Sequence, residues 1–375
     1  MFWYWCFVGP ALLLAIVSLR GERKRAAYVE RRLAQTPQDL PPVSVIVPVK
    51  GPDYQLKENL AALAGQDYPD FELVVAARSA ADIPPGVLPA KVHVVLAGSD
   101  DSSASEKVQN LRAAVAAARK QSQVYAFADS DGRPTPRWLR SLVAPLAEKG
   151  VGASTGYRWY APVPPSFWTL LRGVWDAVAL SQLGPGDCGF AWGGAMAIRR
   201  ELYHELDIRG VWKDAVSDDY SLSAAVHGAA LTIAFAPGAM VPCYEGAPAR
   251  LLLAWMRRQM TITRVYNPRL WWPALVAHIF YCGGMAASIA ASLRGFRLAE
   301  WALLAQLSPG MLKGLNRATL AKAALPECEA WFKRHQWVHA IWIPLATWLW
   351  LAVLLASAFG NTISWRGRRY RLRRP

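Results

Sequence analysis

Charge is scarce in this chain: Asp, Glu, Lys and Arg make up only 18% of 375 residues, against 53% apolar residues and 18 Trp. Soluble domains carry about a quarter charged residues, so this composition excludes an ordinary soluble enzyme and favours membrane association. Cysteine is scarce too. The five (Cys6, Cys188, Cys243, Cys282, Cys328) are scattered and odd in number, with no C-x-x-C pair. That excludes a disulfide framework and a cysteine-based zinc site, and it fits a reducing compartment. Acidic residues are outnumbered, 27 against 42 Lys and Arg, for a net charge of +15. Such an excess suits nucleic acid, anionic lipid or a phosphate-bearing substrate. Its placement decides between them: the dense runs Arg20–Arg32 and Arg366–Arg374 each follow an apolar segment. Positive-inside residues belong there, so a membrane is expected and a nucleic-acid partner is not.

Long apolar runs are what the chain does have. Phe2–Leu19 is 18 residues without a formal charge, close to the ~20 that cross a bilayer. Its charges follow the run rather than precede it and no A-x-A site appears, so an uncleaved anchor is expected. The flanking RGERKR places what comes next on the cytoplasmic side. Trp271–Leu293 and Val338–Gly360 are further runs of 23 residues and credible spans. Leu298–Leu320 is interrupted by Glu300, Pro309, Lys313 and Arg317; if it spanned, the basic tail would end outside, so a re-entrant or interfacial segment is expected. The expected organisation is an anchor over 1–20, a basic linker over 21–40 and a catalytic domain over 41–248. An interfacial amphipathic helix over 249–268, a membrane region over 269–360 and a basic cytoplasmic tail over 361–375 complete an integral protein of the bacterial inner membrane or its equivalent.

Residues 41–245 lack any long apolar run. VSVIVPV (43–49) is a continuous β-rich run, as a strand buried on both faces should be. FELVVAA (71–77), VHVVL (92–96) and VYAFA (124–128) are further strands, separated by the helical patterns 55–66 and 105–121. This alternation predicts an α/β domain with a mostly parallel sheet and right-handed crossovers. Ligands bind such sheets at the carboxyl ends of strands, where Asp129-Ser130-Asp131 falls. Paired carboxylates there suit a hard divalent cation, Mg²⁺ or Mn²⁺, that neutralises a pyrophosphate.

Two more constellations carry chemistry. Asp218-Asp219-Tyr220 precedes a helical stretch and reads either as a helix N-cap or as a general base for a hydroxyl acceptor. ARLLLAWMRRQMTITRVYNPRLWW (249–272) mixes an apolar stripe with Arg250, Arg257, Arg258 and Arg264 directly before an apolar run. It reads as an interfacial helix whose Arg side chains snorkel, and such a helix can also aim Arg at a pyrophosphate.

In this order these features resemble the inverting glycosyltransferases of the GT-A fold, and more closely the ceramide glucosyltransferases and their bacterial lipid-glycosylating relatives. VPVKGPDYQLKENLAALAGQDYPDFELVV is similar to that family's first strand, K-G-x-D loop and second strand. SEKVQNL (105–111) is similar to its P-K-[IV]-x-N-L element and FAWGGAMAIRRE (190–201) to its Gly-containing strand. TISWRGRRYRLR (362–373) resembles its C-terminal I-S-W-R-x-[GR]-R-Y-R-L.

The resemblance implies a donor site with Lys107, Asn110, Asp129 and Arg258, a metal on Asp131 with Asp129, and Asp219 as catalytic base. It departs at Ser79, where the family's first Asp is expected, with Asp82 as a displaced substitute. The [QR]-x-x-R-W motif becomes Trp255-Met256-Arg257-Arg258-Gln259. Acceptor or membrane-proximal candidates are Asp218, Trp255, Arg257, Gln259, Trp365, Arg366 and Arg369. The implied activity is transfer of a hexose, first of all glucose from UDP-glucose, to a hydroxyl of a lipid such as ceramide. Alternatives are a processive polysaccharide synthase of the same fold and a catalytically silent membrane scaffold.

Overall fold

A computed structural model describes residues 2–35, 37, 39–99 and 103–373; Arg374, last of the tail cations, lies outside them. A seven-stranded sheet in the order β3-β2-β1-β4-β7-β5-β8 forms its centre. The four expected strands are present as β1 (Val43–Pro48), β2 (Phe71–Ala77), β3 (His93–Leu96) and β4 (Val124–Ala128). Three more complete the sheet: β5 (Val151–Thr155), β7 (Ala195–Arg199) and β8 (Thr232–Phe235). β1 pairs parallel with both β2 and β4, while β7 alone runs antiparallel to its neighbours β4 and β5. β1 and β4 are buried almost throughout, because helices cover both faces and leave no polar side for the strands to show.

The chain leaves β1 towards β2 and β3, then returns to β4 on the other side of β1. The crevice beyond the carboxyl ends of β1 and β4 is therefore the topological switch point, where open α/β sheets bind ligands. A separate parallel pair, β6 (Arg158–Tyr160) with β9 (Val241–Cys243), stands beside that crevice.

Around this sheet pack the apolar helices. Two helical stretches, Tyr4–Ala34 and Pro268–Ser292, are long and apolar enough to cross a membrane. The other two runs depart from expectation. Val338–Gly360 is not one continuous helix. It breaks at Trp342 into Val338–Ile341 and Ile343–Ser357, the second restarting on Pro344. Its 15 residues rise about 22 Å at 1.5 Å each, short of a ~30 Å hydrocarbon core. Leu298–Ala324, expected as a re-entrant or interfacial segment, is one continuous helix of 27 residues that passes through Pro309. A proline removes one backbone hydrogen bond, which packing against Phe2–Val17 and Pro268–Ser292 outweighs.

The carboxyl end of that helix belongs to the sheet domain. Ala318, Ala321, Ala324, Leu325, Cys328 and Phe332 are buried in the same core as the strands. The stretch expected as a membrane region over 269–360 thus also contributes to the core of the sheet domain.

Close approach at Gly156, just after β5, fixes this core to the segment before β9. A Cβ there would stand 2.0 Å from the Ala239 carbonyl oxygen, a backbone atom that cannot swing aside. Gly156→Ala should cost about 1–3 kcal/mol through overpacking, read as a lowered Tm in the detergent-solubilised protein.

Candidate active site

The carboxylates after β4 are held by cations. Asp129 Oδ1 lies 2.9 Å from Lys107 Nζ, and its Oδ2 accepts from Arg158 Nη2 at 3.0 Å. Lys107 also reaches Asp218 Oδ2 at 3.1 Å. Arg158 Nη1 lies 3.6 Å from Asp131 Oδ2 and donates to the Tyr160 hydroxyl at 2.7 Å. Its guanidinium also stands 4.8 Å over the Trp192 ring, a cation–π contact.

Three elements meet here. Helix Glu106–Ala117, capped by Ser105, carries Lys107; helix Asp218–Gly228 carries Asp218 and Asp219; β6 carries Arg158. Gly193 makes room for them, because a Cβ there would sit 2.4 Å from Asp218 Oδ2 and 2.9 Å from Lys107 Nζ.

Burial disfavours the Lys107 cation, but Asp129, Asp218 and Asp219 outweigh it and raise its pKa. Burial likewise opposes ionised Asp129, yet Lys107 and Arg158 prevail and lower its pKa. Asp218 goes the other way. Burial, with Asp219 and Asp129 adding like charge against Lys107's opposing pull, pushes it up to about 6. Asp176 is also raised to about 6 by burial, although Arg158 and Arg172 pull it down.

Asp131 is raised by burial too, with Asp129 and Asp53 adding to the rise against the pull of Arg158. Its Oδ1 is buried without a hydrogen-bond partner. An orphaned carboxylate oxygen beside a second carboxylate fits a hard cation. Among the described residues no group of three or more His, Cys, Asp or Glu gathers as a full ligand set. A cation held by Asp131 and Asp129 would complete its shell with phosphate oxygens and water, as Mg²⁺ does.

Asp219 lines the same cavity. Its Oδ1 accepts from the Ser217 hydroxyl and, at 2.7 Å, from the Tyr220 N–H; its Oδ2 has one longer contact, the Gly193 N–H at 3.3 Å. Oδ1 is thus held and Oδ2 faces the cavity with acceptor capacity to spare. Asn110 is buried in the wall with its Oδ1 unpartnered.

Arg258, Trp255 and Gln259 of helix Ala249–Tyr266 line the cavity as well. The Arg258 guanidinium stands 5.4 Å from the Trp365 ring centre and takes no carboxylate partner among the described residues; burial lowers its pKa to about 10.

Other candidates lie elsewhere. Arg257 is exposed and donates to the Ala356 carbonyl at 3.1 Å, tying its helix to Ile343–Ser357. One residue of helical rotation, about 100°, separates it from the cavity-facing Arg258. Arg369 is exposed on the tail hairpin, β10 (Thr362–Trp365) with β11 (Arg368–Arg371). Arg366 and Arg368 take its place: Arg366 Nη2 contacts Asp53 Oδ1 at 2.5 Å, and Arg368 Nε lies 3.0 Å from Glu106 Oε2. Asp82 does not reach the cavity. Its carboxylate accepts from the Ser79 N–H and hydroxyl at 3.1 and 2.9 Å, closing a local turn. Asp218, expected towards the acceptor, is ion-paired to Lys107.

Sequence reasoning missed Arg158, Asp53 and Asp176, all cavity-lining. Asp53 sits in the K-G-x-D loop after β1, and its Oδ2 accepts from Ser130 Oγ at 2.5 Å, so that motif carried a signal. Arg158 and Asp176 had none.

A switch-point cavity with paired carboxylates after the fourth strand, in a mostly parallel sheet with one reversed strand, is the plan of a GT-A glycosyltransferase. The model for Glycosyl transferase family 21 matches residues 5–375. The chain belongs to that family, and its activity is glycosyl transfer. No curated protein sequence matches it. Among solved structures it is similar to mannosyltransferase PcManGT from Pyrobaculum calidifontis in complex with GDP-Man and Mn²⁺. Identity there is 20% and the TM-score 0.46, over 94% of this chain and 97% of that one. It is also similar to glucosyl-3-phosphoglycerate synthase from Mycobacterium tuberculosis in complex with phosphoglyceric acid. Those values are 17% and 0.35, over 62% and 80%.

The raised carboxylates give a pH signature. Protonating Asp218 removes one of the partners of Lys107, so activity should fall as pH drops through about 6, with Asp218→Asn flattening that limb. A folded pKa above the unfolded one adds stability below it and withdraws stability as pH rises through it. Protonating Asp218 and Asp176, both raised to about 6, therefore adds stability. The loss at pH ~5 should accordingly be reversible and come without a drop in Tm.

Proposed function

We propose that this protein is a membrane-anchored inverting glycosyltransferase. It moves a hexose, glucose from UDP-glucose in the first instance, to a hydroxyl of an amphiphilic lipid such as ceramide, with its catalytic domain on the cytoplasmic side. One observation carries this reading. A single cavity of about 1440 Å³ runs from Asp129, Asp131 and Asp219 to the apolar helices, where Ala274, Ala277, Met285 and Trp350 line it. A water-soluble donor and a lipid acceptor can meet in it without either leaving its own medium.

Asp219 is the base. Its Oδ2 takes the proton as the acceptor oxygen attacks the anomeric carbon from the face opposite the phosphate. The bond from that carbon to the phosphate oxygen breaks, and nucleoside diphosphate leaves with configuration inverted. Lys107 and Arg258 meet the charge that develops on the pyrophosphate, with Asn110 offering an amide beside them. A divalent cation, Mg²⁺ or Mn²⁺, held by Asp131 with Asp129, would supply further neutralisation of that group. Asp53 and Arg366 close the donor end by joining the loop after β1 to the tail. Trp255 and Gln259 flank the approach of the acceptor, next to Trp175, whose ring centre lies 5.7 Å from that of Trp255.

Asp219→Asn should retain donor binding and lower transfer about 10²–10⁴-fold in a radiolabelled-sugar assay; full activity would remove Asp219 from the base role. EDTA should stop turnover and added Mg²⁺ or Mn²⁺ restore it, whereas indifference to EDTA would sink the metal assignment.

A further inference from the structure

The reaction leaves one buried carboxylate in the cavity wall unused. Asp176, the last residue of helix Phe167–Asp176, lines the cavity and is only 7% exposed. Its Oδ1 accepts from the Tyr157 hydroxyl at 3.3 Å, long for an O–H···O bond. Its Oδ2 takes no hydrogen bond among the described residues and is open to the cavity.

The cations nearby are committed elsewhere. Arg158 holds Asp129, Asp131 and the Tyr160 hydroxyl. Arg172 donates to the Glu245 carbonyl at 2.6 Å and stands 3.9 Å over the Tyr160 ring. Among the described residues neither reaches ion-pair distance of Asp176. A buried carboxylate with an acceptor oxygen to spare is an arrangement that a hydrogen-bond donor stabilises.

Its place in the cavity names the molecule that brings the donor. Tyr157 packs against Trp192 with ring centres 5.8 Å apart, and the next residue, Gly193, offers its N–H to Asp219 Oδ2. On the other side Trp175, which precedes Asp176, stacks on Trp350 of helix Ile343–Ser357. Asp176 therefore stands between the base and the apolar part of the cavity, where the polar end of a lipid acceptor belongs. Arg158 and Arg172 repel a cation from this place and the carboxylate repels an anion, so a neutral N–H or O–H is the group that fits.

We infer that Asp176 sets acceptor specificity: its Oδ2 accepts a hydrogen bond from a neutral N–H or O–H that the lipid carries beside the hydroxyl receiving the sugar. This rests on the lipid-acceptor reading above. It narrows that reading to lipids with a second polar hydrogen, from an amide or a neighbouring hydroxyl, over simple lipid alcohols.

The test uses the full chain in neutral detergent at about pH 8, where Asp176, raised by burial to about 6, is ionised. Four radiolabelled lipids are compared: ceramide, its N-methyl and 3-O-methyl derivatives, and diacylglycerol, whose free hydroxyl has no second polar hydrogen beside it. Retention without donor and kcat/KM with UDP-glucose are both measured. Ceramide should exceed diacylglycerol roughly tenfold or more in each. Asp176→Leu should bring that ratio close to one; Asp176→Asn, isosteric but neutral, keeps an acceptor oxygen and should lower it about threefold. A ratio taken within one protein does not depend on how much of a variant folds, and Asp176→Asn decides alone if Asp176→Leu does not fold. The methylated ceramide that loses the preference identifies the amide or the hydroxyl as the partner. Equal handling of ceramide and diacylglycerol by the parent, a ratio unchanged in the variants, or a preference that survives both methylations would overturn the inference. An equal fall for both lipids with a raised KM for UDP-glucose would move Asp176 to the sugar and overturn the acceptor assignment. An Asp176-dependent retention ratio in a protein that transfers sugar to none of the four would leave the contact standing and remove the transferase reading instead.

Discussion

The Lys107 ammonium, held between the Asp129 and Asp218 carboxylates, is the contact on which the rest of the site depends. It ties the loop after β4 to the starts of two helices far apart in sequence. These charges are largely withdrawn from solvent, with side chains 14%, 19% and 5% exposed for Lys107, Asp129 and Asp218, and a buried charge without its partner destabilises a protein by several kcal/mol. The three segments are therefore committed to one geometry. Gly193 is part of the same constraint, since any side chain there would enter the pair. Arg158 completes the arrangement from the opposite wall by spanning Asp129 and Asp131. Asp219 follows Asp218 directly and inherits its position from that anchoring.

Around this polar centre the lining of one cavity turns from polar to apolar. The aromatic residues mark the boundary: Trp175 stacks on Trp350 with ring centres 4.5 Å apart, and its other neighbour is Trp255. Indole rings suit that level because one part is apolar and the N–H can reach a polar partner. Trp350 Nε1 donates to the Trp175 carbonyl at 3.0 Å. The tail hairpin seals the other side through Arg366 on Asp53 and Arg368 on Glu106. Basic tail residues that read equally as a positive-inside flank thus divide by side: Arg366 and Arg368 face protein, and Arg369 faces solvent.

Much of this was legible in the residues. The continuous β-branched runs announced buried strands, and the four strands through Val124–Ala128 lie where that pattern put them. Asp129 and Asp131 were legible because a strand's carboxyl end is a recognisable address. Asp82 was read as a displaced substitute for the carboxylate expected at Ser79, but that serine, three residues earlier, claims it for a turn. Arg257 and Arg258 are adjacent in sequence, and only helix phase separates their roles. The apolar run 338–360 could not be told from one continuous helix, because hydropathy counts residues and does not register the break at Trp342.

The sequence by itself determined the class of fold, the apolar helices and the acidic motifs, because periodicity, composition and local spacing are properties of neighbouring residues. Only the tertiary structure decided which charges meet. Arg158 lies on a short strand with no motif around it, and it reaches Asp129 and Asp131 because β6 pairs with β9 beside the switch point. Lys313 and Arg317 looked like interruptions of a membrane segment. In the folded chain they are cations lining the same cavity as the carboxylates. The physical reason is that Coulomb interaction depends on distance and burial, and both are set by packing between segments far apart in the chain.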